Sequence, residues 1–185
     1  MLLANMTTLS AAWSQTLALP PLWHLCGIAF VLLLMVARRL ALRSGIFVIF
    51  VWSFLPTLAH ECSHYLVGRL CRARMQGFTL LPRSERGKLV LGSVSFHNLN
   101  PLTAPLVALS PLLLLGAAYF LFCYWTTLFR ASVSSTIGLY AVMYLLVYGA
   151  IPSTTDLKVA CNWKSVLLYG SVGYLAYLAC HGIAS

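Results

Sequence analysis

The residues that could do chemistry are few and sit close together. His60-Glu61-Cys62-Ser63-His64 is an HExxH pattern inside an apolar stretch. On a helix, the i, i+4 spacing puts both imidazoles on one face, where they can grip one metal ion. Glu61 follows the first histidine and can act as general base toward a metal-activated water. With five His and three Asp+Glu in 185 residues, chance supplies only about 0.002 matches to such a pattern. Pro56 lies four residues before His60. It removes a backbone hydrogen bond and is expected to kink the helix there.

Two histidines leave a catalytic zinc site one ligand short, because such sites hold three protein ligands plus water. Asp156, His24, His97 and His181 are the candidates. The chain has three acids, Glu61, Glu85 and Asp156. Glu85 belongs to a polar turn. Glu61 and Asp156 fall in or at the end of apolar stretches. An Asp in mid-span costs about 2.5–3.5 kcal/mol on insertion scales, so such residues are functional candidates by default. If two spans separated by one intervening span carry His60/His64 and Asp156, those spans run parallel and all three side chains approach one membrane face. That favours Asp156 as third ligand. Its rival partner is Lys158, but residues at i and i+2 do not face each other on a helix. Pro152-Ser153-Thr154-Thr155 precedes Asp156, and irregular backbone of this kind is tolerated at membrane depth where it lines protein or a wet cavity.

The elements that position these residues follow from composition. The chain is 61% hydrophobic and 8% charged, with a mean hydropathy of +0.88. Soluble domains carry about 25% charged residues, so an ordinary soluble globule, a disordered chain and a coiled coil are excluded. The reading is an all-α polytopic membrane protein, one membrane-embedded domain over residues 1–185. About five transmembrane helices are expected, near Leu22–Ala37, Gly45–Gly68, Leu102–Trp125, Ile137–Lys158 and Trp163–Cys180. Residues 1–20 are read as an interfacial lead-in, with a sixth span as the alternative. They lack a basic n-region, so a cleavable signal peptide is not expected. No internal repeat is evident.

Residues 70–100 form the one substantial non-membranous loop. GFTLLP and KLVLGSVSF flank Arg83-Ser84-Glu85-Arg86-Gly87, which predicts a small β-hairpin. The loop and the next one on its side carry Arg69, Arg72, Arg74, Arg83, Arg86, Lys88, Lys158 and Lys164; the other side carries Arg38, Arg39, Arg43 and Arg130. The positive-inside rule then puts the hairpin and the active site on the cytoplasmic side. The net charge of +9 is spent at span ends, so no nucleic-acid partner is implied. The six cysteines form no CxxC pair, and a zinc ribbon or redox motif is not supported.

An HExxH in one span, a β-like loop, a span with proline near its start and an Asp two spans after the HExxH together resemble the site-2 protease family of intramembrane zinc metalloproteases. The resemblance covers residues 46–160, a three-span core. Ala104-Pro105-Leu106 is similar to that family's Gly-Pro-Leu segment, with Ala108 where the segment usually has Asn. Asp156 matches the aspartate of its Asp-Gly motif, with Leu157 in place of Gly. The resemblance implies a Zn²⁺ cofactor on His60, His64 and Asp156, with Glu61 as base. It also implies a transmembrane protein or peptide substrate, cleaved within or near the lipid bilayer. A helical substrate must unwind to expose its amides, and the hairpin can accept it as an added strand. His97, Asn98 and Asn100 are then candidate partners for substrate carbonyls. The alternative is a non-proteolytic membrane metal-binding protein or a metal transporter, since intramembrane His and acids also mark ion paths.

Overall fold

The computed structural model describes residues 2–80, 83–85 and 88–182. Eight α-helices and four short strands follow one another in these segments. They are α1 (Leu2–Leu17), α2 (Pro21–Ala41), α3 (Ile46–Leu70), β1 (Arg74–Thr79), β2 (Arg83–Glu85), β3 (Lys88–Val90), β4 (Ser93–His97), α4 (Ala104–Ala108), α5 (Leu113–Leu128), α6 (Val133–Gly149), α7 (Thr154–Ala160) and α8 (Trp163–Gly182). A 3₁₀ turn, Ser110–Leu112, joins α4 to α5.

Three helical stretches are long and apolar enough to cross a membrane: Pro21–Ala41, Ile46–Leu70 and Ser110–Leu128. A fourth is reached if α6 and α7 count as one span bent by 55°. The five expected spans therefore resolve into three or four. The expected fifth span is helical, as α8, but it lies outside this set, because Lys164 and interspersed Gly, Ser and Tyr dilute its apolar content. The lead-in is also helical. At 16 residues, α1 is about 24 Å long, short of a hydrocarbon core of about 30 Å. It packs along α5 instead. Trp13 stacks near Phe122 and Tyr119, and the buried Thr16 hydroxyl donates to the Phe122 carbonyl at 2.8 Å.

The interior is small. Phe122, Trp125 and Leu139 form its centre, with Leu121 and Met143 packed around them, where α5 meets α6. Most large apolar side chains point outward instead, among them Leu32, Leu33 and Val36 on α2, Phe47 and Leu66 on α3, and Leu113 and Phe120 on α5.

The expected hairpin is present as two antiparallel ladders. β1 pairs with β4, with a bulge between Met75 and Gly77, and β2 pairs with β3. The residues joining β2 to β3 lie outside the described set. The Phe78 ring meets Tyr65 of α3 edge-on, which seats the sheet beside the HExxH helix. The chain breaks after α6 at Pro152, as the Pro-Ser-Thr-Thr segment predicts, and α7 restarts from Ser153.

Candidate metal centre

Both HExxH histidines lie on one face of α3, and each ring is locked by its Nδ1. His60 Nδ1 donates to the Gly149 carbonyl at 2.8 Å. His64 Nδ1 donates to the Val107 carbonyl at 2.8 Å. A carbonyl can only accept, so the ring proton belongs on Nδ1 in each case. This leaves both Nε2 atoms as bare acceptors, the state in which imidazole binds a metal.

The two acceptors that closest chain contacts supply are carbonyls with their own structural reasons. Gly149 is the buried last residue of α6, and a Cβ on it would stand 3.0 Å from the Pro56 carbonyl oxygen. Only a bare Cα lets α6 come this close to α3. Val107 belongs to the buried α4. The buried Ser110 hydroxyl also donates to the Val107 carbonyl, at 2.7 Å, and sits 3.2 Å from His64 Nδ1.

Asp156 completes the group from a different part of the fold. It is the third helical residue of α7, where a capping box fixes it. Its Oδ2 accepts from the Ser153 backbone N–H at 2.7 Å, and its own N–H donates to Ser153 Oγ at 3.1 Å. The carboxylate is thereby turned toward α3. Its Oδ2 lies 3.3 Å from His60 Nε2 and its Oδ1 3.3 Å from His64 Nε2. The two Nε2 atoms are 3.1 Å apart. No family model, curated protein or solved structure matches this chain. The chemical reading therefore rests on the geometry itself.

That geometry fits a metal ion. Two lone-pair nitrogens and a carboxylate converge, each with its remaining hydrogen-bonding atoms already engaged. Two neutral Nε2 acceptors at 3.1 Å cannot bond to each other, and a cation between them and Asp156 would satisfy all three. A tetrahedral ion with bonds of about 2.0–2.1 Å separates its ligand atoms by about 3.3 Å, close to the spacings found here. Among the described residues, His60, His64 and Asp156 form the group that could hold a metal, one ligand atom from each lying within 4.8 Å of the others. The Lys158 ion pair considered as a rival for Asp156 is not formed among the described contacts.

Glu61 is 7% exposed and faces the hairpin. Its side chain lies against Gly92, and the Val94 backbone N–H is within hydrogen-bonding reach of its carboxylate. Strand β4 thus comes to the side of Glu61, which the sequence did not indicate.

The other candidate residues lie elsewhere. His97, Asn98 and Asn100 are exposed at and beyond the end of β4. His97 Nδ1 meets the Gln76 side chain at 3.3 Å, Asn98 has a positive φ of 68°, and the Asn100 backbone is taken up in a turn with Thr103. The structure does not bring them into the metal group. His24 contacts the Tyr140 hydroxyl at 3.1 Å, between α2 and α6. The side chain of His181 lies outside the described residues. The positioning groups that went unread are the Gly149 and Val107 carbonyls, Ser110 and Gly92. Ser153 had a legible signal, since Ser-x-x-Asp at a helix start is a capping-box pattern.

Proposed function

We propose that the protein is an integral-membrane zinc metalloprotease, similar to the site-2 protease family, that hydrolyses a peptide bond within or near the span of a membrane protein. The observation that carries this reading is the convergence of His60, His64 and Asp156 with Glu61 next to the first ligand. The belt of outward apolar side chains on α2, α3 and α5 supports a bilayer setting, since soluble monomers rarely expose such continuous apolar surface. When bound, the ion supplies Lewis-acid polarisation of the scissile carbonyl and acidifies the attacking water.

The chain's own residues supply the rest. The Gly149 and Val107 carbonyls and the α7 capping box hold the three ligands in place before any substrate arrives. Glu61, buried and beside the first ligand, takes the proton of the attacking water and delivers it to the leaving amine. The β1–β4 sheet offers a strand edge beside Glu61, where an unwound substrate segment would add as a further strand. In this reading the site lies on the side of the hairpin, and the excess of basic residues there supports a cytoplasmic location.

The test is a cleavage assay with the purified protein against a panel of single-span substrates, with and without a zinc chelator. Cleavage that stops with chelator and returns with Zn²⁺ is expected. Metal binding without cleavage of any substrate, joined to metal flux in vesicles, would favour the transporter reading instead.

A further inference from the structure

Away from the metal group, α2, α3 and α6 line a half-open cavity of about 290 Å³. This is near the lower end of the roughly 300–1,000 Å³ typical of small-molecule sites. Its walls are mostly apolar: Phe30, Leu34, Val51, Trp52, Ala141 and Leu145 among them. One charged residue, Arg38, lines it. The guanidinium lies over the Tyr148 ring, 4.0 Å from its centroid, and donates to the Tyr148 hydroxyl. Its Nε is buried and has no acceptor.

Tyr148 is a neutral partner and does not balance the charge. Nor does any carboxylate among the described residues. Glu61 and Asp156 belong to the metal group, Glu85 lies on β2, and among the described residues no ion pair reaches Arg38. Arg38 itself is half-buried, but a buried guanidinium nitrogen left without an acceptor beside apolar walls is costly, and ionisable groups within spans normally find a partner. An anion from outside the chain would supply the missing acceptor, and the apolar cavity beside it suits a ligand with an apolar tail.

We infer that this cavity is a binding site for an acidic phospholipid, its phosphate paired with Arg38 and an acyl segment lying between α2, α3 and α6. The site is separate from the proposed hydrolytic centre and shares with that proposal only the bilayer setting. The lining offers apolar surface for the tail and a single cationic donor for the phosphate, and with no described acid to balance Arg38 a headgroup of net negative charge is favoured over a zwitterionic one.

The experiment titrates the purified full-length protein in detergent with dioleoylphosphatidylglycerol, dioleoylphosphatidylcholine or glycerol 3-phosphate, and counts bound lipid by native mass spectrometry. The phosphatidylglycerol should bind as one copy, about tenfold more tightly than the phosphatidylcholine. Arg38→Gln should erase that preference, whereas Arg39→Gln, at an exposed neighbour, should keep it. Ala141→Phe, which fills the cavity and leaves Arg38 intact, should weaken phosphatidylglycerol binding, and it carries the test alone if Arg38→Gln does not fold. Equal affinity for the two lipids in the unaltered protein would overturn the inference. So would a preference that survives in Ala141→Phe, or competition by glycerol 3-phosphate as effective as that of the lipid, which would leave only a site for free anions.

Discussion

The Glu61 side chain rests against the bare Cα of Gly92: a Cβ built there would stand 3.1 Å from Glu61 Cγ, 3.3 Å from its Oε1 and 2.7 Å from the Thr57 methyl. The hairpin and the HExxH helix can approach this closely only because residue 92 has no side chain. Strand β4 follows directly, so this contact fixes where the sheet edge lies relative to the proposed base.

Gly92→Val should therefore push β4 away from α3 and displace Glu61. A misplacement of about 1 Å at a reacting group can cost about 100-fold in rate, and a loss of that order in cleavage is expected. The atoms nearest a Cβ at position 92 belong to Thr57 and Glu61 and not to His60, His64 or Asp156, so zinc content, measured by atomic absorption on the purified protein, should stay at the unaltered level. Loss of metal together with activity would mean that the contact supports the fold of α3 and does not position Glu61 alone.

Glu61→Gln separates base from ligand more directly. The substitution keeps size and hydrogen bonding but removes the proton acceptor. General-base contributions are typically about 10²–10⁴-fold, and a fall in cleavage within that range is expected, with metal retained. A folded Glu61→Gln protein that cleaves at the normal rate would end the protease proposal.

Much of this site was legible because its chemistry is local. His60, Glu61 and His64 announce themselves by spacing, and the helix they need is a long apolar run. Asp156 was legible for a different reason: it is the chain's single Asp, placed after a proline break. What could not be read was backbone chemistry between distant elements. The Gly149 and Val107 carbonyls carry no side-chain signature, yet they set the ring orientation of both histidines. The approach of Gly92 to Glu61 is equally silent, since a glycine in a loop has many other uses. The span count was overread at the C-terminal end because length and helicity were clear there, but α8 is not apolar enough to join the set.

Membrane sidedness is open to a direct test. α3 and α6 run the same way, since Val51 and Trp52 share a cavity with Ala141 and Tyr144, and Pro56 and His60 meet Gly149 further along. The hairpin follows the end of α3, whereas Ser132 precedes the start of α6. Cysteines introduced at Ser84 and Ser132, in a background lacking the exposed native Cys62 and Cys161, should label from opposite faces with a membrane-impermeant maleimide. Position 84 should be cytoplasmic. Labelling of both from one face would contradict a bilayer-spanning α3–α6 core.

The last prediction concerns how Asp156 is held. Its carboxylate has two tasks in the structure: it accepts from the Ser153 N–H and it faces both histidines. Asp156→Ala removes both, so zinc occupancy and cleavage should fall together, unlike in Glu61→Gln. Ser153→Ala removes only the hydroxyl that accepts from the Asp156 N–H. Loss of such an N-cap costs about 1 kcal/mol of helix stability, and groups that orient a metal ligand typically matter about 10–100-fold in affinity. Zinc affinity in Ser153→Ala should fall within that range, and cleavage should recover when free Zn²⁺ is raised. Ser153→Asn, which can still cap the helix, should lie close to the unaltered protein. If Asp156→Ala binds zinc as tightly as the unaltered protein, Asp156 is not a ligand, and the capping box at α7 serves only to restart the helix.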